Sequence, residues 1–330
     1  MSRQPVTPAD LLSLREGGII EDFGPGSPRP WLAIDFRANS AVDAEDLGAW
    51  LTTLPCPVIG VADADTQAEA LSACDATVAH PEDLAAIAAT IEAVPIAAMT
   101  FVQVLRIIEH LPPEAALTAE SMAYGVLQTG PEFNRWLATQ DEPAPSVGSG
   151  AAVEIDRQDG TLRITLNRPH DRNALTGEMR SALVEAFDLA ALDDSITGVT
   201  LEGAGKCFSV GGDLAEFGLA PDPASAHWVR SIRSPARSAL RCAAKLRTHA
   251  QGACIGAGVE LPAFASRFTA TASCHFQLPE LKMGLLPGSG GCVSLSRRIG
   301  RQKTALLGLT GRRINAAQAL KWGLIDEVID

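Results

Sequence analysis

Residues 140–150 read Gln-Asp-Glu-Pro-Ala-Pro-Ser-Val-Gly-Ser-Gly, a run without apolar periodicity whose composition is that of a linker. It separates two stretches whose apolar residues recur at different intervals, and any fold must honour that break. Before it, residues 81–137 carry a helical pattern. Pro95 and the pair Pro112 and Pro113 divide this pattern into about three helices. Thr118 reads as the opening of the last one, with Glu120 and Ser121 close behind. After the break, residues 153–157 and 161–167 alternate apolar and polar around Asp159-Gly160, a hairpin signature.

The remaining pattern is that of an α/β protein. Upstream of the helices, 7–15 reads as a short helix, 31–36 and 57–62 as buried strands, and 43–54 as a helix between them. Downstream, 179–192 is an amphipathic helix and 198–202 a strand. Residues 208–214 form a Gly-Gly turn leading into a helix, and 224–246 is mostly helical with a break at Pro235. Residues 269–273 form a strand, and 316–322 a helix closed by Gly323. Strand-then-helix units recur without an exact sequence repeat.

Charge divides along the same boundary. Residues 1–150 hold 6 Lys+Arg against 21 Asp+Glu, a net −15, and residues 151–330 hold 21 against 18, a net +3. The acidic half argues against a nucleic-acid partner, while the mildly basic half suits a small polyanion. No apolar run approaches the ~20 residues of a membrane span, and no leader pattern opens the chain, so the expectation is a cytoplasmic protein without a membrane partner. Seven cysteines without a Cys-x-x-Cys pair fit reduced thiols better than a disulfide frame or zinc site.

Chemistry concentrates in residues 249–291. Glycines in Phe208-Ser209-Val210-Gly211-Gly212-Asp213 and in Gly256-Ala257-Gly258 can present backbone N–H groups to a ligand, and two such donors converging on one oxygen make an oxyanion hole. They can equally serve close packing. Glu260 and Glu280 lie in apolar, glycine-rich surroundings, where two carboxyls can be held at different proton affinities, one a base and the other an acid. The same glutamates also read as a helix cap and a solvated loop residue. No dinucleotide fingerprint, P-loop or nucleophile elbow is present, and the six histidines show no metal-ligand spacing. The arginines from Arg297 to Arg313 read as a solvated helix face that could also contact phosphate.

Together these segments resemble the enoyl-CoA hydratase/isomerase (crotonase) superfamily across residues 153–330. Leu166-Asn167-Arg168-Pro169 with Asn173-Ala174-Leu175 resembles its first CoA-binding segment, 208–214 and 252–261 its two oxyanion segments, and 276–291 its catalytic loop. The residues from Thr310 and Gly311 to Val328 are similar to its closing strand-helix motif. The resemblance implies a spiral of ββα units and an oxyanion hole from the N–H groups of Gly212 and Ala257. It implies that the carbonyls of Ala174 and Val210 contact the adenine of CoA, with Arg168 and Arg172 in the same CoA-binding region. Glu260 would deprotonate water, Glu280 would protonate Cα, and Gly288 would leave room for that water. A homo-oligomer, trimer or hexamer, is implied, with no metal or cofactor beyond the CoA of the substrate thioester.

The chain also departs from the family pattern. Pro262 follows Glu260 by two residues, Ser266-Arg267 replaces the usual Cys-Asp, and the strand before Gly252 reads Lys-Leu-Arg-Thr-His-Ala where apolar residues are usual. Residues 151–330 do not include the family's C-terminal helices. Residues 80–137 look like that tail placed ahead of the core. Residues 29–140 are therefore expected to be a degenerate crotonase half lacking catalytic groups, after an extension at 1–28. The expected activity is hydration of a 2-enoyl-CoA by a lyase. The alternatives are isomerisation or CoA-ester cleavage within the superfamily, or a catalytically weak CoA-binding partner.

Overall fold

A computed structural model describes residues 4–37, 44–63, 65–66, 69–140 and 149–330. The expected linker falls mainly outside these residues. Helix α1 (Pro8–Gly17) starts on a capping box, in which the Thr7 hydroxyl accepts from the Asp10 N–H and the Asp10 carboxylate accepts from the Thr7 N–H. Strand β1 (Leu32–Asp35), helix α2 (Ala44–Thr53), strand β2 (Val58–Val61) and strand β3 (Ala76–Val78) follow, and the three strands pair in parallel. Both sheet faces are covered, which is why the strands read as unbroken apolar runs. Leu32, Ile34 and Val58 pack with Leu11, Phe23 and Leu51, whereas Ala33, Ile59 and Val61 face the main core.

Four helices come next: α3 (Pro81–Ala93), α4 (Pro95–Ile108), α5 (Pro113–Gln128) and α6 (Pro131–Leu137). Each has proline at its first position, where the missing N–H costs nothing. Pro131 thus makes one helix more than expected, and α5 opens at Pro113, which leaves Thr118 inside it. Helices α3 and α4 share one continuous core with the second half: Ile91, Phe101 and Leu105 belong with Leu285, Val293 and Leu307.

In the second half, β4 (Val153–Gln158) and β5 (Thr161–Leu166) form the expected hairpin, with Asp159 at φ 46° and Gly160 at φ 79°. Then come α7 (Gly177–Leu192), β6 (Gly198–Gly203), α8 (Pro223–Ile232), α9 (Pro235–Arg241), β7 (Leu246–Ala250), β8 (Ala253–Ile255) and α10 (Ala257–Glu260). The chain closes with β9 (Arg267–Thr271), β10 (His275–Gln277), α11 (Gly291–Ile299), α12 (Arg301–Thr310), β11 (Ile314–Asn315), α13 (Ala316–Trp322) and β12 (Glu327–Ile329). A six-stranded sheet runs β12-β9-β7-β6-β5-β4, parallel except at the hairpin, and a smaller sheet runs β11-β10-β8.

Several expectations are corrected. The turn at 208–214 enters only a short 3-10 turn, Leu214–Glu216, because the chain is needed extended beside its neighbours. Leu246 begins a strand rather than ending a helix, and its strand tolerates Arg247 and His249 because their side of the strand is exposed. Pro262 starts a separate 3-10 turn just after α10 has ended. The Arg297–Arg313 region is solvated only in part: Arg297, Arg312 and Arg313 are exposed, but the N-terminal half packs against the rest. Arg301 is buried, meeting Asp75 at 3.2 Å and Glu109 at 3.0 Å, and Arg106 reaches Asp75 at 2.5 Å. Arg297 donates to the Leu111 carbonyl, and Arg312 pairs with Asp83. Among the described residues no single helix is long and apolar enough to cross a membrane.

Candidate active site

Three chain segments lie side by side at the centre of the second half. Asn173, fully buried and left-handed at φ 54°, ties two of them together. Its side-chain oxygen accepts from the Arg168 N–H, and its amide donates to the carbonyls of Ala204, Cys207 and Phe208. Val210 N–H donates to the Arg172 carbonyl, and isolated bridges join Leu175 to Gly212 and Ser209 to Cys254. Gly211 sits at φ 90°, and a Cβ there would lie 2.6 Å from the Ile255 carbonyl oxygen and 3.3 Å from the Ala257 nitrogen. Only glycine allows this approach, and it sets the amides of 212 and 257 on abutting segments. Among the described residues, no hydrogen bond uses the N–H of Gly212 or of Ala257.

The sequence-predicted residues do not all gather here. Ala174 and Val210 lie on the abutting segments, with Arg172 exposed beside them. Arg168 is turned inward. Its guanidinium donates to the carbonyls of Gly150, Ala151 and Asn167 and pairs with Glu178, so it braces the segment from behind.

Both glutamates are buried, so Glu280 is not a solvated loop residue. Glu260, 2% exposed, ends α10. One carboxylate oxygen accepts from the N–H groups of Ser289 at 2.7 Å and Gly291 at 2.8 Å, and its carbonyl accepts from the Ser294 hydroxyl. Glu280, 9% exposed, opens the 3-10 turn Glu280–Met283. Gly256, at φ 53°, leaves room for it, since a Cβ there would come within 2.6 Å of the Glu280 Oε1. The other oxygen, Oε2, is buried without a hydrogen-bond partner.

These environments separate the two groups. Burial pushes Glu260 up to about 7, against the pull of the two amides that favour its charged form. Glu280 is pushed well above the carboxylate range by burial, and further by the negative charges of Glu260 and Glu120. The first suits a base near neutrality and the second an acid that keeps its proton.

Two groups from the N-terminal half complete the site, and sequence reasoning passed over both. Glu120 on α5, 2% exposed, accepts from the N–H groups of Gly290 at 2.7 Å and Cys292 at 2.9 Å. Burial and then the charge of Glu260 push it up to about 8. Tyr124, the chain's only tyrosine, lies one helical turn on. Its ring fills the space that a side chain at Gly288 would need. That corrects the expectation for Gly288: the room beside it is taken by an aromatic ring rather than left to water. The Arg230 guanidinium stands over the ring at 4.8 Å and donates to the Ser121 hydroxyl. Burial raises the Tyr124 phenol, Arg230 opposes that rise, and the charges of Glu260 and Glu280 add to it. The only available signal was the i, i+4 spacing of Glu120 and Tyr124 on one helix face.

An aromatic wall closes the Gly212 side. Phe217 packs against Gly212, Trp136 on α6 meets Phe217 edge-on at 6.0 Å, and Phe133 stacks on Trp136 at 5.7 Å.

A mixed α/β core carrying these segments in this order is a crotonase fold. An enoyl-CoA hydratase from Thermoplasma volcanium GSS1 is similar with TM-score 0.50 and 33% identity, over 55% of this chain and 73% of that one. An enoyl-CoA hydratase/isomerase from Marinobacter aquaeolei is similar with TM-score 0.50 and 28% identity, over 54% and 70%. Residues 156–330 match the enoyl-CoA hydratase/isomerase family model, and the chain belongs to that family. Two Escherichia coli K12 proteins lie at nearly equal distance. The 2,3-dehydroadipyl-CoA hydratase is 34% identical over 53% of this chain and 68% of its own length, and the 1,2-epoxyphenylacetyl-CoA isomerase 33% identical over 52% and 67%. The chain thus spans about two thirds of each relative's length, and identity alone does not choose between their reactions.

Proposed function

We propose that the protein adds water across the 2,3 double bond of an enoyl-CoA thioester. The observation that carries this reading is the pair of buried glutamates held at different proton affinities beside two uncommitted amides. The thioester oxygen would accept from the N–H groups of Gly212 and Ala257, which stabilise the enolate as it forms. One such donor typically contributes ~3 kcal/mol at the transition state. Glu260 takes a proton from water as the hydroxyl bonds to Cβ. Glu280 then gives its proton to Cα, and solvent exchange returns both groups to their starting states. In the same reading the adenine contacts the carbonyls of Ala174 and Val210, and Arg172 is the exposed cation nearest the CoA phosphates.

The relatedness to an isomerase supports a second reading, in which one carboxyl shuttles a proton along the acyl chain. Retention of both glutamates favours hydration. Loss of enoyl-thioester absorbance with crotonyl-CoA and a cinnamoyl-type CoA tests the proposal. Hydration requires that loss, and Glu260→Gln and Glu280→Gln should each slow it by on the order of 10²–10⁴-fold. CoA binding without turnover on any enoyl thioester would contradict it.

A further inference from the structure

Four successive backbone amides at the start of α11 are divided between two carboxyl groups from different halves of the chain. The N–H groups of Ser289 and Gly291 go to Glu260, and those of Gly290 and Cys292 go to Glu120. The two carboxyls therefore share one short stretch of backbone, each fixed by two of its donors. Among the described residues no Lys, Arg or His forms an ion pair with either of them. The other ionisable groups facing them are Glu280 on its 3-10 turn, Tyr124 on α5, Cys292 on α11 and Arg230 on α8. Arg230 is spent on Ser121, Gln128 and the Tyr124 ring. Two buried carboxylates without a cation cannot both be charged cheaply, and a helix start offsets about one of them.

We propose that Glu120 is a positioning residue for Glu260: the two groups share the amides of 289–292 and hold one proton between them, so that the charge on Glu120 sets the proton affinity of Glu260. This inference rests on the reading of Glu260 as the water-activating base. It goes beyond that reading by placing part of the site outside residues 156–330, on a helix of the N-terminal half. The fixed 289–292 turn also orients the Glu260 carboxylate. Burial lifts both carboxyls above the ordinary carboxylate range, in agreement with a proton held between them.

The test is an infrared titration of the protonated-carboxyl band in the full chain, comparing wild type, Glu120→Gln and Glu260→Gln, alongside pH profiles of kcat/KM. In wild type the pair should lose its protonated-carboxyl band in two steps, near pH 7 and near pH 8. Glu120→Gln and Glu260→Gln should each leave a single step, below the wild-type upper step by roughly one pH unit, because a neighbouring charge is gone. In kcat/KM, Glu120→Gln should leave one rise near pH 7 and remove any step near pH 8. Two steps that survive Glu120→Gln, or an upper step that stays in place in Glu260→Gln, overturn the proposal. So does a uniform loss of activity with an unmoved profile, which is what a merely structural glutamate would give. Should Glu120→Gln fail to fold, the Glu260→Gln band decides alone. The infrared arm needs no turnover, so the expected bands in a protein inert toward enoyl thioesters would sink the hydration reading and uphold the shared proton.

Discussion

Two groups of acidic side chains cross the boundary between the N-terminal half and the crotonase core, and they are built on opposite principles. Around Asp75, buried at the end of the three-stranded sheet, Arg106 comes from the N-terminal side and Arg301 from the core. Its oxygens also accept from the Val58 N–H. Around Glu120 the acids meet each other and backbone amides, and no guanidinium neutralises them. A carboxylate wrapped in guanidinium groups has its oxygens committed to ion pairs and serves as a joint. A carboxyl held by amides in an apolar setting has its proton affinity lifted into the range where it can exchange protons with a substrate. The contrast separates a joint from a reaction centre within one interface.

The comparison breaks first at the centre itself. Glu260→Gln and Glu280→Gln should each lower kcat/KM on an enoyl-CoA by on the order of 10²–10⁴-fold, the usual contribution of a general acid or base. A steady-state assay at the pH optimum reads this directly. At the joint the effect should fall on stability instead. Asp75→Ala leaves two arginines buried without their shared partner and should cost about 3–5 kcal/mol in urea unfolding, with turnover per folded molecule little changed.

Gly288→Ala tests where the halves touch at the site. Its methyl group would displace the Tyr124 ring, and overpacking of this kind costs about 1–3 kcal/mol, so both the unfolding midpoint and kcat should fall. Titration sharpens the comparison further. Glu260 and Glu120 bind protons more tightly folded than unfolded, so the stability they contribute is full below the unfolded value near 4.5. It is lost as pH rises through about 7 and about 8. Urea midpoints should therefore decline from pH 5 to pH 9, and Glu120→Gln should flatten the upper part of that decline. The smallest effect belongs to the exposed pair Arg267 and Glu327, where Glu327→Gln should change stability by about 0–1 kcal/mol.

The core was largely legible because its signals are local. Asp159-Gly160 marks the hairpin, prolines open the helices, and the glycine segments before Glu260 and Glu280 carry the family resemblance. Packing between distant segments was not legible. Arg301 looks like a solvated arginine until the sheet end with Asp75 is laid against it, a partner 226 residues away in sequence. Glu120 is 170 residues from the amide it caps, and only its i, i+4 spacing from Tyr124 sets it apart from a surface glutamate. At Gly288 the sequence points to open space, whereas the structure fills it with a ring. Its occupant comes from α5, which periodicity placed but could not dock. Arg168 was misjudged for the same reason, since the carbonyls that hold it lie at the linker's end.

The most direct test of the account is the hydration of crotonyl-CoA and a cinnamoyl-type CoA, followed by loss of the enoyl-thioester absorbance with the wild-type chain and its two glutamine variants. The account predicts turnover in wild type on at least one of the two substrates, lowered on the order of 10²–10⁴-fold when either Glu260 or Glu280 is replaced. Full activity after Glu280→Gln would contradict it, as would a wild-type chain that binds CoA esters and leaves every double bond intact.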